Sequence, residues 1–396
     1  MKSSKWLEMT DRIADLQNTA SQAEQYINGH LFDVDGLMYS YVDVRTGRPF
    51  DETYVAHFKE EALQAKAWQA NRRADSDPVT YWSYEDSVIT AGHYMVALVL
   101  KYEVTGDAKA LEQAFKIWER YRLCYYASQV YGEGSFLRPY GGFAGGFAGM
   151  SRWMEPLGTD QASPLLRGQY ALWKHAQGEQ KSELTDIMVK TLSWYERQNF
   201  KYLWYKSIVH SWNDSAHAGS YYFPAIVFAA KVTGDEKWRK LQQAKLPGAS
   251  RDVTATFKFG GDLIMLADLL GPEEFERACP KAVLDGAYEA ELKYLATFSL
   301  PGMRRAEGPG VRSVHTVQSL CGLAGIGYPG AAEKALEIMA TVKRVPDDFT
   351  VFLADAPEKL PEAGFVQLQA YAVGVLLVVW YRNYWILRKA LLAQKK

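Results

Sequence analysis

The chain has 396 residues, 48% hydrophobic and 23% charged, with 45 Lys+Arg against 46 Asp+Glu for a formal net charge of −1. This composition excludes disorder for most of the chain, and the balanced charge excludes a nucleic-acid partner, which needs clustered cations. Three scattered cysteines, Cys124, Cys279 and Cys321, exclude a disulfide framework, while aromatic residues reach 14%.

No continuous apolar run follows Met1-Lys2-Ser3-Ser4-Lys5-Trp6, so no export signal is read. A cytoplasmic location is expected, with the periplasm the alternative if a signal has been removed. A first helix is expected over 3–28. From Glu85 to Val104, Val88, Ala91, Tyr94, Met95, Leu98 and Val99 recur at helical spacing. Thr105-Gly106-Asp107 ends that helix, with Gly in the left-handed position and Asp capping the next helix, Ala108 to Ser128.

Val104-Thr105-Gly106-Asp107-Ala108-Lys109 recurs as Val232-Thr233-Gly234-Asp235-Glu236-Lys237. Looser versions stand at Gln177-Gly178-Glu179, Leu270-Gly271-Pro272-Glu273 and Gly327-Tyr328-Pro329-Gly330. The reading is five helical hairpins, at 85–128, 162–199, 216–246, 254–298 and 314–343. A sixth pair joins an apolar helix over 363–385 to helix 3–28 and closes a ring. The most apolar stretch, Ala370 to Tyr381, is shorter than the ~20 residues of a membrane span, so no membrane partner is expected. The expected fold is all-α, an (α/α)6 toroid forming a single domain over residues 1–396.

Long segments rich in glycine and aromatics, 29–52, 69–84, 129–161, 200–215 and 299–313, precede several hairpins and are expected to wall one cleft. The first cluster there is Tyr81-Trp82-Ser83-Tyr84-Glu85-Asp86. Ser83 fits an N-cap with Asp86 in the capping-box position; the functional reading turns Asp86 into the cleft beside aromatics such as Trp82. Asp160, shortly before Pro164, divides between a helix cap and a cleft acid in the same way, and Arg167 shares a helix face with Tyr170. His210-Ser211-Trp212-Asn213-Asp214-Ser215-Ala216-His217 is the densest cluster, with Tyr221 one helical turn after His217. Its two histidines straddle a loop without HExxH spacing, so no metal is expected. Arg304-Arg305 and Arg138-Pro139-Tyr140 offer forked donors for an anionic group.

Gly141 to Gly149 lacks the Gly-Lys-Ser/Thr ending of a phosphate loop, so neither nucleotide nor other cofactor is expected. His93 and His175 lie inside helices and read as packing residues. No GxSxG is present, which leaves acid–base chemistry by carboxylates, or by His and Tyr.

On Glu85-Asp86 opening the first hairpin, and Asp160 before Pro164-Leu165-Leu166, the chain resembles the six-hairpin glycosidase superfamily, and within it the unsaturated glucuronyl and rhamnogalacturonyl hydrolases. The resemblance implies Asp160 as the acid/base that protonates an unsaturated uronide and activates water, with Asp86 as its partner. Those families carry Arg-Gly-Gln-x-Trp on a later helix. Here the corresponding hairpin opens His217-Ala218-Gly219-Ser220-Tyr221-Tyr222; Arg167-Gly168-Gln169-Tyr170 stands one hairpin earlier, with Ala171 in place of Trp.

The expected function is a glycoside hydrolase acting on acidic oligosaccharides. Asp86, Asp160 and His217 are the catalytic candidates; Trp82, Arg138, Tyr140, Arg167, His210, Trp212, Tyr221 and Arg305 are the substrate-binding ones. The alternatives are a polysaccharide lyase with a His or Tyr base, built from Asn213, His217, Tyr221 and Arg305, and a non-catalytic toroid that binds glycan.

Overall fold

A computed structural model describes residues 3–49, 83–84, 86–139, 156–204, 208–211, 216–246, 262–296, 309–352 and 371–394. In chain order these residues form α1 (Ser3–His30), β1 (Tyr41–Asp43), α2 (Ser87–Thr105), α3 (Ala108–Ser128), α4 (Thr159–His175) and α5 (Gly178–Arg197). Next come β2 (Lys201–Trp204), β3 (Ile208–Ser211), α6 (Ala216–Thr233), α7 (Glu236–Lys245), α8 (Asp262–Leu269), α9 (Pro272–Ala278) and α10 (Lys281–Ala296). The chain ends with α11 (Pro309–Gly325), α12 (Ala331–Met339), β4 (Val351–Phe352), β5 (Tyr371–Gly374) and α13 (Val375–Gln394). The fold is all-α in character, with two small sheets.

The repeated turn forms as its residues dictate. Gly106 takes φ +75° and donates its N–H to the Tyr102 carbonyl, and Asp107 accepts from the Lys109 N–H at 3.1 Å to open α3. Gly234, at φ +66°, and Asp235, accepting from Lys237 N–H at 2.8 Å, repeat the device between α6 and α7. Each cap is worth about 1 kcal/mol.

Three expectations are corrected. The hairpin expected at 254–298 contains three helices, α8 to α10, because Gly271-Pro272 and Pro280 each break the helical hydrogen-bond ladder. The helix expected over 363–385 starts at Val375, after a strand, and runs on to Gln394; residues 363–370 lie outside the described residues. Its apolar face continues past Arg382 through Trp385, Ile386 and Leu391, all buried. The segment 200–215, expected as loop, contains the antiparallel hairpin β2–β3, paired from Lys201 with Ser211 to Trp204 with Ile208.

Helices α2 and α4 run parallel and nearly touch backbone to backbone. A Cβ at Gly92 would stand 2.4 Å from the Pro164 carbonyl, and one at Gly168 would stand 2.7 Å from Met95 Cε. Glycine at both positions is what lets α2 and α4 approach so closely. Helix α4 packs on α6, with Tyr170 and Trp173 edge-on to Phe228. Pro224 cannot donate to the Ser220 carbonyl within α6, and the Ser163 hydroxyl of α4 reaches that carbonyl at 3.5 Å. Contacts continue from α6 to α8, α8 to α11, α11 to α13, and α13 back to α2.

The other helices flank this central set. α1 lies against α13 and runs antiparallel to α2, where Tyr94 donates to Asn28 and Lys101 bonds Glu24 at 2.7 Å. α3 backs α2, α5 backs α4 and α6, α7 backs α6, α10 backs α11, and α12 backs α11 and α13. Trp118, Trp380, Tyr94 and Tyr381 are among the largest buried side chains, which accounts for part of the aromatic excess. No helix among the described residues is long and apolar enough to cross a membrane.

Candidate active site

The N-terminal ends of α2 and α13 are tied by one buried serine. Ser40 donates its N–H to the Ser83 carbonyl at 2.6 Å and accepts the Asp86 N–H on its hydroxyl at 2.6 Å. Its carbonyl takes the Val375 N–H at 3.0 Å. Strand β1, paired antiparallel with β5, delivers Ser40 to this junction, so a single residue fixes the starts of α2 and α13.

Asp86 occupies the N-cap position of α2, yet its carboxylate makes no capping bond. The expected capping role of Ser83 is also corrected: its hydroxyl is buried without a hydrogen bond. Its backbone carbonyl, held by Ser40, anchors this segment instead. Asp160 lies inside the first turn of α4, rather than before the helix, and Gly158 is the N-cap. A Cβ at Gly158 would come 2.4 Å from Asp160 Oδ1 and 3.3 Å from Arg138 Nη2, so the Arg138 guanidinium stands within a few ångströms of the carboxylate. Both aspartates precede the Gly92–Pro164 approach, at the same end of two parallel, touching helices.

Arg138 is 3% exposed and sits on a pinned segment. Leu137 N–H donates to Ser128 Oγ at 3.1 Å, and Leu157 N–H donates to the Phe136 carbonyl at 2.9 Å. The Tyr195 hydroxyl of α5 donates to the Leu157 carbonyl. These bonds hold residues 136–137 beside Leu157 and bring Arg138 to Asp160.

Deeper along the central set, Arg167 of α4 and Arg382 of α13 are 5% and 1% exposed. Arg382 Nη1 lies 2.7 Å from His93 Nδ1. A guanidinium only donates, so His93 accepts and its ring proton resides on Nε2. Burial first, then the charges of Arg382 and Arg167, hold the His93 pKa well below the ordinary value, and the ring is neutral. Arg382 Nε and Nη2 both donate to Asn383 Oδ1, at 3.3 and 2.7 Å.

The opposite, C-terminal ends carry a different arrangement. Glu103 of α2 bonds Lys389 at 2.7 Å and His175 at 3.0 Å, and Lys174 bonds Asp268 at 3.1 Å. Burial pushes the Glu103 carboxyl up, but Lys389, Lys174 and His175 together hold it below its usual range.

Of the other predicted residues, Tyr221 is buried against the rings of Tyr195 and Tyr222, and burial pushes its hydroxyl pKa far up. His210 falls in β3 and His217 in the first turn of α6. Trp82, Tyr140, Trp212 and Arg305 lie outside the described residues, as do Glu85, Asn213 and the glycine run 141–149. Among the described residues no three His, Cys, Asp or Glu side chains gather into a metal site. Cys124 and Cys279 are buried, which pushes both thiols up to about 12, so neither supplies a thiolate at neutral pH.

Sequence reasoning missed Arg382, Asn383 and Glu103, and read His93 only as packing. One signal was present: Arg382-Asn383 interrupts the most apolar run of the chain, and a charge there is rare without a task. No family model, curated protein or solved structure matches the chain.

Proposed function

We propose that the chain is a glycoside hydrolase of (α/α)6 toroid architecture that acts on acidic oligosaccharides through Asp86 and Asp160. The toroid reading is supported by the succession of contacts α2, α4, α6, α8, α11, α13 and back to α2, with flanking helices behind them. The observation that carries the catalytic reading is the placement of Asp86 and Asp160 at one end of two parallel helices in close contact, with Arg138 beside Asp160.

Paired carboxylates divide the work of glycosidic hydrolysis, one protonating and the other activating water or attacking. Arg138, beside Asp160, positions that carboxylate and contributes positive charge toward an acidic substrate. The acidic residues stand at helix N-termini, where the helix dipole favours their charge.

The test is a screen of unsaturated uronides and intact acidic polymers with the wild type and Asp160→Asn. The expected result is hydrolysis of uronides, seen as loss of ultraviolet absorbance, and its collapse in Asp160→Asn. Retained turnover in Asp160→Asn removes the assignment. A gain of absorbance on intact polymer replaces it with a lyase, whose Tyr221 base the buried ring environment does not favour.

A further inference from the structure

Among the described residues five large apolar side chains are exposed, and three of them share one stripe. Leu123, Tyr126 and Val130, at i, i+3 and i+7, are 43%, 46% and 81% exposed on α3 and the turn that follows it. They lie opposite the buried stripe of that helix, which includes Trp118, Tyr121 and Tyr125. Earlier turns of the same outward face carry ordinary charges, with Glu112 bonded to Lys116 at 2.6 Å. Single exposed apolar residues need no explanation, but a stripe of three on an otherwise charged face marks a contact surface.

The stripe is held in place from below. The Tyr126 hydroxyl donates to Glu183 of α5 at 2.6 Å, and the Arg122 guanidinium lies 5.9 Å from its ring centroid. Gln129 clamps the turn that presents Val130, donating to the Ser135 carbonyl at 2.8 Å and accepting the Gly134 N–H at 2.7 Å. A surface ordered in advance loses little entropy when it is covered.

The charges at its two ends identify what covers it. Arg120, three residues before Leu123, is exposed and makes no ion pair among the described residues. Glu133, three residues after Val130, has its side chain 68% exposed. Lys190 reaches its Oε1 at 3.3 Å and is shared with Asp186, while Arg197 donates to the Glu133 carbonyl. A carboxylate offers about four acceptor sites, so Glu133 has capacity for a second cation. The two spacings are equal. A two-fold axis between Tyr126 and Ala127, with two copies of α3 antiparallel, therefore brings Leu123 of each copy onto Val130 of the other. The same operation brings Arg120 of each copy onto Glu133 of the other.

We propose that this face of α3 is a homodimer interface, formed by an antiparallel crossing of α3 with its copy. An isologous contact needs one self-complementary patch, and the order cation, apolar stripe, anion supplies it. The patch is small beside a standard interface of about 1,600 Å², so the dimer is a weak one, with Kd on the order of 10–100 µM. The interface does not depend on the hydrolase reading.

The test is sedimentation velocity of the full chain from ~1 to ~300 µM, a range that brackets the expected Kd. The expected result is a concentration-dependent shift from monomer to dimer. Val130→Lys should weaken Kd ~10-fold or more while leaving Tm within a degree or two, because the residue is exposed. Arg120→Glu and Glu133→Arg, each alone, should weaken it about 5-fold by setting like charges opposite one another. An equimolar mixture of those two variants should return to within about twofold of the wild type, since every pair across the mixed dimer is again opposite in sign. A chain that stays monomeric at ~300 µM, or association that Val130→Lys leaves unchanged, overturns the proposal. Loss in both charge variants without rescue in the mixture overturns it as well, because the antiparallel pairing is then wrong.

Discussion

The two ends of the central helices use charge in opposite ways. At the C-terminal ends, cations meet the negative poles of the helix dipoles and also bond carboxylates across helices: Glu103 joins α2 to α4 and α13, and Lys174 joins α4 to α8. At the N-terminal ends, Asp86 and Asp160 stand at the favourable pole with Arg138 beside Asp160, and the backbone around them is ordered by Ser40, Ser128 and backbone carbonyls. The lesson is that one end is cross-linked by its charges, whereas the other has its charged groups positioned by a scaffold. A scaffold that fixes two acids at one end of touching helices is what acid–base chemistry requires.

The largest expected effect falls on the positioned end. Asp160→Asn should lower turnover of an acidic oligosaccharide ~100-fold or more while leaving Tm within a degree or two. A variant as inactive as this but also strongly destabilised would mean that Asp160 is structural, and the contrast between the ends would fail. Next comes the crossing that aligns the two aspartates. Gly92→Ala places a Cβ 2.4 Å from the Pro164 carbonyl, and is expected to cost about 2–3 kcal/mol by denaturant unfolding, together with reduced activity as the helix ends splay. Gly271→Ala, with nothing within 4 Å, should cost no more than the ~1 kcal/mol of a poorer N-cap and leave activity unchanged.

Much of this frame was legible in the chain, for local reasons. Gly106-Asp107 and Gly234-Asp235 each encode a stop and a start in adjacent residues, so the hairpins could be read directly. The two small sheets could not, because strands of two to four residues carry too few positions for alternation to register. Asp86 and Asp160 were found as acids at helix starts, but their surroundings depend on tertiary partners, Ser40 at the Asp86 N–H and Arg138 beside the Asp160 carboxylate. Arg382 was hidden differently. It lies 289 positions from His93, and a buried charge is explained only by what another helix brings to it.

The cross-linked end should betray itself in acid. The Glu103 carboxyl is held below its usual range, so the stability it confers is present above the unfolded value of ~4.3 and is lost as pH falls through the lower folded value. Glu103→Gln is expected to cost about 1.5 kcal/mol at neutral pH, less in acid, and to leave activity intact. Equal losses at all pH values would show that the bonds to Lys389 and His175 act only by shape.

The smallest effect has the reverse sign and sharpens the comparison. Glu291 of α10 is largely buried, and burial pushes its carboxyl up to about 7, with Ser319 of α11 offsetting only part. A raised folded pKa means that its contribution is fully present below ~4.3 and is lost as pH rises through about 7. Glu291→Gln should therefore raise stability by about 1 kcal/mol at pH 8 and do little at pH 4, as read from urea midpoints. The two glutamates differ in what surrounds them: Glu103 has two lysines and a histidine from two other helices, whereas Glu291 faces one hydroxyl. If both variants shift stability in the same direction at pH 8, burial rather than pairing governs both sites, and the charge cross-link at the C-terminal ends is not what holds those helices together.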